Sequence, residues 1–290
     1  MSNIDGPIWT DPEAWLFSHL KALDMELFQA GLERMHELCR LAREKGVVIL
    51  LDAEQTQRQP AIEMMAHILW RRFDSFEMHE KDNVPTTMSG GAVLYNTYQM
   101  YLSRSPSAVV RDMRLAREGG YRFAAKIVRG AYLSSERSRA RAMGLPDPIV
   151  ASKETCDISY DSTVYSILAE QARLRNDGLG DQHAVSVFVA THNAASVDRA
   201  IKAMRVLGLP PALASVHFAQ ILGMADHLTC ALGLSGHNAC KLVPYGDFDD
   251  VLPWLLRRLE ENQDVLGAGQ SSRPLIAAEI RRRMGAWLVN

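Results

Sequence analysis

The sequence predicts an α/β protein whose parallel sheet is wound as a (β/α)8 barrel, and three observations lead there. Six strand-like segments each run into a helix-patterned segment, and such alternation implies a parallel sheet. The first of them, "VVILLDAE" at 47–54, is a nearly continuous apolar run of the kind found in strands buried on both faces. No strand leads into GxGxxG or GxxxxGK[ST], so the glycine fingerprints of nucleotide-binding open sheets are absent. An open doubly wound sheet stays in view, and the barrel is preferred.

The elements follow in order. Residues 25–45 are helical in pattern, with Leu27, Leu32, Met35, Leu38, Leu41 and Ala42 at spacings of three and four, and Gly46 as the stop. After the 47–54 strand, a helix over about 60–72 starts at Pro60. "AVLYNTYQM" (92–100) is a strand followed by a helix over 105–118, and "RFAAKIVRGAY" (122–132) is a strand followed by helices to about 175. "AVSVFVATHN" (184–193) precedes a helix over 195–207, and "ALASVHFAQIL" (212–222) precedes one ending near 233. "ACKLVPYG" (239–246) is the sixth strand. The helix after it has Asp250 as its expected N-cap and Pro253 in its first turn. Leu252, Leu255, Leu256 and Leu259 form its apolar side, expected to face the core. Trp254, Arg257, Arg258 and Glu261 form the opposite side; a tryptophan beside two arginines suits a face that looks into a site. A last helix spans 272–288. With no low-complexity linker in the chain, residues 1–46 read as an N-terminal helical segment and 47–290 as one barrel domain.

Bulk properties narrow the classes. At 290 residues, 47% of them hydrophobic, the chain can bury a sizeable core. A net charge of −2 provides no broad attraction for nucleic acid. Cys39, Cys156, Cys230 and Cys240 are far apart and form no CxxC pair, which suits reduced thiols. No apolar run reaches the roughly 20 residues that span a bilayer. The first twenty residues hold Asp5, Asp11 and Glu13 and no Lys or Arg, unlike a secretory signal or an Arg-rich transit peptide.

In a barrel, chemistry collects at the carboxyl ends of the strands. Each strand here ends in polar residues: Asp52 and Glu54; Asn96 and Gln99; Lys126, Arg129 and Tyr132; Thr191, His192 and Asn193; Gln220; Tyr245. Each has a plainer reading. Asp52 could cap a loop, His192 could be a hydrogen-bonded structural histidine, and Arg257–Glu261 could be a surface pair worth about 0.3–0.5 kcal/mol. Lys126 inside an apolar strand is harder to set aside, because a buried ammonium is costly without a partner. No HxH, HExxH or GxSxG is present, so neither a metal site nor a nucleophile elbow is expected. Paired arginines suit a carboxylate, and the remaining polar set suits a large polar cofactor.

The segments "LLDAEQT" (50–56), "YNTYQMYL" (95–102), "KIVRGAYL" (126–133), "ATHN" (190–193), "FAQILGM" (218–224), "VPYG" (243–246) and "RRLEEN" (257–262), taken in order, resemble the proline dehydrogenase family, in wording closest to its eukaryotic branch. The resemblance implies a distorted (β/α)8 barrel whose last barrel helix lies over the mouth. It implies FAD as cofactor, with hydride transfer from L-proline giving Δ1-pyrroline-5-carboxylate. By the motif match, Arg257 and Arg258 bind the substrate carboxylate, Glu261 holds the arginines, and Tyr132, Leu222 and Trp254 enclose the ring. Lys126 corresponds to the basic residue near the flavin N5 and Asp52 to the acidic residue beside the substrate. Asn96, Gln99, Arg129, Thr191, His192, Asn193 and Gln220 correspond to flavin-lining positions. A quinone-type electron acceptor, peripheral membrane association and the matrix side of the mitochondrial inner membrane are implied in the same way.

Three departures from the family pattern carry consequences. Trp254 stands where the family has tyrosine. Leu242, two before Pro244, stands where proline enzymes have tyrosine and hydroxyproline enzymes a small polar residue; an apolar wall does not reward an extra hydroxyl, so proline is favoured over hydroxyproline. The family has two strands before "LLDAEQT", whereas residues 1–46 offer only helices, so an N-terminally shortened barrel with about six strands is expected. Unpaired edges would then favour self-association, and a non-catalytic relative acting as a partner subunit is an alternative. A Schiff-base lyase using Lys126 is a third reading.

Overall fold

Gly46 closes the first helix as anticipated. Its φ of 65° places it in the left-handed region, and Val47 N–H returns to the Ala42 carbonyl at 2.9 Å. The computed structural model describes residues 22–76, 92–179, 185–261 and 277–284. The elements are α1 (Ala22–Lys45), β1 (Ile49–Leu51), α2 (Gln59–Phe73), β2 (Leu94–Gln99), α3 (Ser105–Gly119), β3 (Phe123–Val128) and α4 (Leu133–Ala142). They continue with α5 (Lys153–Asn176), β4 (Val185–Ala190), α6 (Ala194–Val206), β5 (Val216–Ile221), α7 (Asp226–Leu234), β6 (Ala239–Leu242) and α8 (Phe248–Glu261). Residues 277–284 are helical.

All strand pairs are parallel and the spatial order is β1-β2-β3-β4-β5-β6. A doubly wound sheet reverses its order at a switch point; here each strand adds to the same edge, and the six curl into a half-barrel. Register separates two faces. Phe123, Ala125 and Ile127 of β3, with Val187, Val189 and Phe218, pack under the helices against Leu69, Trp70, Val164 and Ile167. The alternate residues (Tyr95, Thr97, Ala124, Lys126, Phe188, His217) point to the other, concave face. There the Phe188 ring stacks on His217 with centroids 4.6 Å apart.

Side chains lock helices to strands. Trp70 Nε1 donates to the Leu94 carbonyl at 2.8 Å, and the Asp74 carboxylate accepts from Val93 N–H at 2.7 Å where β2 begins. Asp112 of α3 accepts from Tyr98 of β2 at 2.6 Å and from Arg111 at 2.6 Å, with His67 of α2 at 3.1 Å.

Several expectations need correction. Among the described residues β1 is a three-residue edge strand paired only with β2, Val47 and Leu50 are exposed, and the run is not buried on both faces. On α1, Leu32, Met35 and Ala42 pack, while Leu27, Leu38 and Leu41 are exposed; Cys39 takes the buried position. α8 begins at Phe248, with Val251 N–H bonded to the Asp247 carbonyl, so Asp250 lies in its first turn and Pro253 inside it. Its Leu252, Leu255 and Leu256 are exposed, because the described sheet stops at β6 and offers them no surface. Leu259 and the strip Trp254, Arg257, Arg258 and Glu261 lie outside the residues whose side chains are described. The four cysteines are free thiols.

Candidate active site

Lys126 faces the concave side of β3, because its register partners Thr97 and Phe188 do. Its side chain is 16% exposed and makes an ion pair with Asp52, which follows β1 and is 68% exposed. The pair reaches across β2, over Thr97. The Thr97 hydroxyl on that face is buried and has no hydrogen-bond partner among the described residues. Gln99, two residues on, joins neighbouring loops: its Nε2 donates to the Glu54 carbonyl at 2.9 Å and its Oε1 accepts from Ala131 N–H at 3.3 Å.

Asn96, expected among the flavin-lining positions, does not join this group. Its register partners Leu51 and Ala125 place it on the helix-facing side, with Tyr98. Every residue of β2 is buried, so the strand offers no wet face by which to choose.

The turn after β3 is built around Arg129. Its Nε donates to Asp157 at 2.7 Å, and its two terminal nitrogens donate to Thr191 Oγ1 and Ser196 Oγ, each at 2.8 Å. The guanidinium lies 4.4 Å from the centre of the Tyr160 ring. Gly130 follows with φ 136°; a Cβ there would fall 1.4 Å from the Tyr101 ring. Tyr132 sits at the N-cap position of α4, and Glu136, one turn on, accepts from Thr56 N–H and Oγ1, both at 2.6 Å. That pair ties the Asp52 loop to α4.

At β4, Asn193 caps α6 by accepting from Ala195 N–H at 2.9 Å. His192 Nε2 accepts from Ile221 N–H at 3.0 Å. Burial, helped by Lys241, lowers the His192 pKa below its ordinary 6.5, which suits the neutral ring that this bond requires. Gln220 of β5 donates to the Thr191 carbonyl at 3.3 Å and accepts from Thr229 at 2.8 Å. Leu222 and Leu242 meet where β5 and β6 end: Leu222 N–H bonds the Leu242 carbonyl at 3.0 Å, and both side chains are about half exposed.

The structure therefore gathers Asp52, Gln99 and Lys126, then Arg129 with Thr191, then His192, Gln220, Leu222 and Leu242. Sequence reasoning overlooked Thr97, Glu136, Asp157, Tyr160, Ser196 and Lys241. Thr97 alone left a usable signal, standing two before Gln99 and so on the same face.

A half-barrel of parallel strands with a lysine–carboxylate pair at its strand ends defines an α/β-barrel protein with polar side chains gathered at the sheet's carboxyl end. A family model described as proline dehydrogenase matches residues 8–270, and the chain belongs to that family. It is 35% identical over 269 residues to Proline dehydrogenase 1, mitochondrial, of Drosophila melanogaster, covering 93% of this chain and 37% of that protein. It is 36% identical over 256 residues to hydroxyproline dehydrogenase of Bos taurus, covering 88% of this chain and 51% of that protein. The chain thus spans between about a third and a half of these relatives. Among solved structures, proline utilization A from Bdellovibrio bacteriovorus, inactivated by N-propargylglycine, aligns with a TM-score of 0.64 at 23% identity, over 83% of this chain and 22% of that one. That likeness concerns the fold.

Proposed function

We propose that this chain oxidises L-proline to Δ1-pyrroline-5-carboxylate using FAD. The observation that carries the reading is the Lys126–Asp52 pair on the concave face beside a buried Thr97 hydroxyl that has no partner among the described residues, in a member of the proline dehydrogenase family. An ammonium and an unspent hydroxyl on one face suit the acceptor-rich edge of a flavin. Lys126, Gln99, Arg129, Thr191, His192, Asn193 and Gln220 would hold it, directly or by fixing the loops around it; Asn96 is left out.

When bound, FAD supplies a two-electron acceptor for the hydride that leaves the ring carbon beside nitrogen. The chain's residues supply orientation and charge. Arg257 and Arg258 would pair with the substrate carboxylate, with Glu261 fixing their direction. Tyr132, Leu222, Trp254 and Leu242 would wall the ring and exclude water. Asp52 would face the substrate nitrogen, and Lys126 would place positive charge where negative charge develops. In this reading α8 lies over the mouth, residues 47–290 form the catalytic domain and 1–46 a helical segment before it.

Proline is the preferred substrate over hydroxyproline, since the exposed apolar Leu242 offers no hydrogen bond to a ring hydroxyl. The mitochondrial names of relatives support the same compartment; a quinone-type acceptor reached by peripheral contact with the inner membrane is the further part of this proposal. Among the described residues no helix is long and apolar enough to cross a membrane. The edge strands β1 and β6 and the exposed leucines of α8 favour self-association.

The test is the visible spectrum of the purified chain, followed by proline without oxygen. A flavin band that bleaches with proline supports the reading. A colourless protein that takes up no FAD overturns it in favour of a non-catalytic relative.

A further inference from the structure

Ile221 is gripped from both sides. Its N–H donates to His192 Nε2 at 3.0 Å, and its carbonyl accepts from Lys241 Nζ at 3.3 Å. The same ammonium donates to the Met224 carbonyl at 2.8 Å and meets the Asp226 carboxylate at 2.6 Å. Its three N–H groups thus face three acceptors, all from the turn that joins β5 to α7. Lys241 pairs in register with Gln220, on the helix-facing side of β6. It therefore stands behind the concave face and does not line it.

The turn needs such a hold. Gly223 and Ala225 both take positive φ, 79° and 51°, and Ala225 is the one non-glycine residue to do so among the described residues. An alanine in the left-handed region is strained and persists only where its surroundings fix it. At the front of the turn is Leu222, tied to β6 by its bond to the Leu242 carbonyl, with its side chain exposed. With about half of its side chain exposed, Leu222 depends for its place on the backbone of the turn behind it.

We propose that Lys241 is a positioning residue: by binding the Ile221 and Met224 carbonyls it holds Leu222 at the carboxyl end of the sheet, where Leu222 walls the substrate ring. The inference rests on the proposed role of Leu222. An isolated Lys241–Asp226 pair would do little here, because Asp226 is exposed and solvent screens it. The two carbonyls distinguish Lys241 from a surface ion pair.

The test compares Lys241→Met, which keeps the length and removes the donors, with Lys241→Arg, which keeps the charge. Proline KM and kcat, flavin content and hydrogen exchange at the Leu222 and Met224 amides are read together. In Lys241→Met the KM should rise about tenfold with kcat and flavin content within about threefold of the parent. Exchange at the two amides should quicken about tenfold or more, and Lys241→Arg should recover much of both changes. Exchange at the parent rate overturns the proposal, as does a fall in kcat and flavin content in step with the KM. If the parent chain itself is not reduced by proline, the functional reading fails, and exchange alone then decides the role of Lys241. Should Lys241→Met not fold, Lys241→Gln, whose shorter amide cannot span both carbonyls, is read the same way: a raised KM with quicker exchange at the two amides supports the grip, and parent values of both overturn it.

Discussion

The Arg129 guanidinium donates its Nε–H to the Asp157 carboxylate at 2.7 Å, joining the turn after β3 to α5 across 28 residues of sequence. Burial acts to raise the Asp157 pKa, but Lys153 and Arg129 outweigh it and hold the carboxyl below its ordinary value. With Thr191 and Ser196 on its other nitrogens, Arg129 fastens β3, β4, α5 and α6 in one place. Removing the acceptor should loosen all four. Asp157→Ala is expected to cost about 1–3 kcal/mol, because it strands a partly buried guanidinium donor. Urea unfolding measures it, and a change under about 0.5 kcal/mol would place this pair with ordinary surface bridges.

Lys126→Met separates catalysis from stability. Asp52 is mostly exposed, so losing the pair leaves a solvated carboxylate and costs little folding energy. The same change removes positive charge from the concave face. On the proposed function, the rate at which proline reduces added FAD should fall about 10²-fold, the usual loss for one preorganised electrostatic contact. Anaerobic stopped-flow reads that rate. A reduction rate near the parent's would assign Lys126 a structural role only.

The strand order could be read in advance because each run of β-branched and apolar residues ends in a polar cluster and then changes to helical spacing. The faces could not. In β2 every position is buried, so alternation carries no contrast, and nothing in the sequence tells that Thr97 and not Asn96 lies on the concave face. In α8 the leucine side looked like a core face from spacing alone, yet a helical moment names only the apolar side and not whether a partner covers it. Asp157 and Tyr160 lay hidden inside a long helical stretch, since their function depends on a cation far back in the chain. Lys241 resembled any strand lysine until the turn that it supports was in place.

His192 gives the site a pH dependence of known sign. Its Nε2 must be unprotonated to accept the Ile221 N–H, and burial, then Lys241, depress its pKa from 6.5. A histidine with a depressed folded-state pKa binds fewer protons folded than unfolded. Its contribution is therefore full above the ordinary value and is lost as pH falls through the depressed one. Unfolding free energies from pH 8 down to 5 should show the parent losing more stability than His192→Asn, whose amide oxygen accepts at any pH. Parallel profiles for the two proteins would remove His192 from the account.

Gly130 and Tyr101 supply the sharpest test of the Arg129 turn. Gly130 holds φ 136°, a conformation that side chains rarely adopt, and a Cβ there would lie 1.4 Å from two Tyr101 ring atoms. The ring cannot easily yield, because it is buried with Leu102, Ile149 and Cys156. Gly130→Ala should therefore cost about 3 kcal/mol or more, from backbone strain and displaced packing together. Tyr101→Ala alone opens a cavity and should cost about 3–5 kcal/mol. In the double variant the clash is gone and only the strain at residue 130 is added to the cavity. Its loss should fall short of the sum of the single losses by at least about 1 kcal/mol. Chemical denaturation of the four proteins closes the cycle. Strict additivity would mean that the ring moves aside at little cost, and that strain in the backbone is the whole reason for glycine at this position.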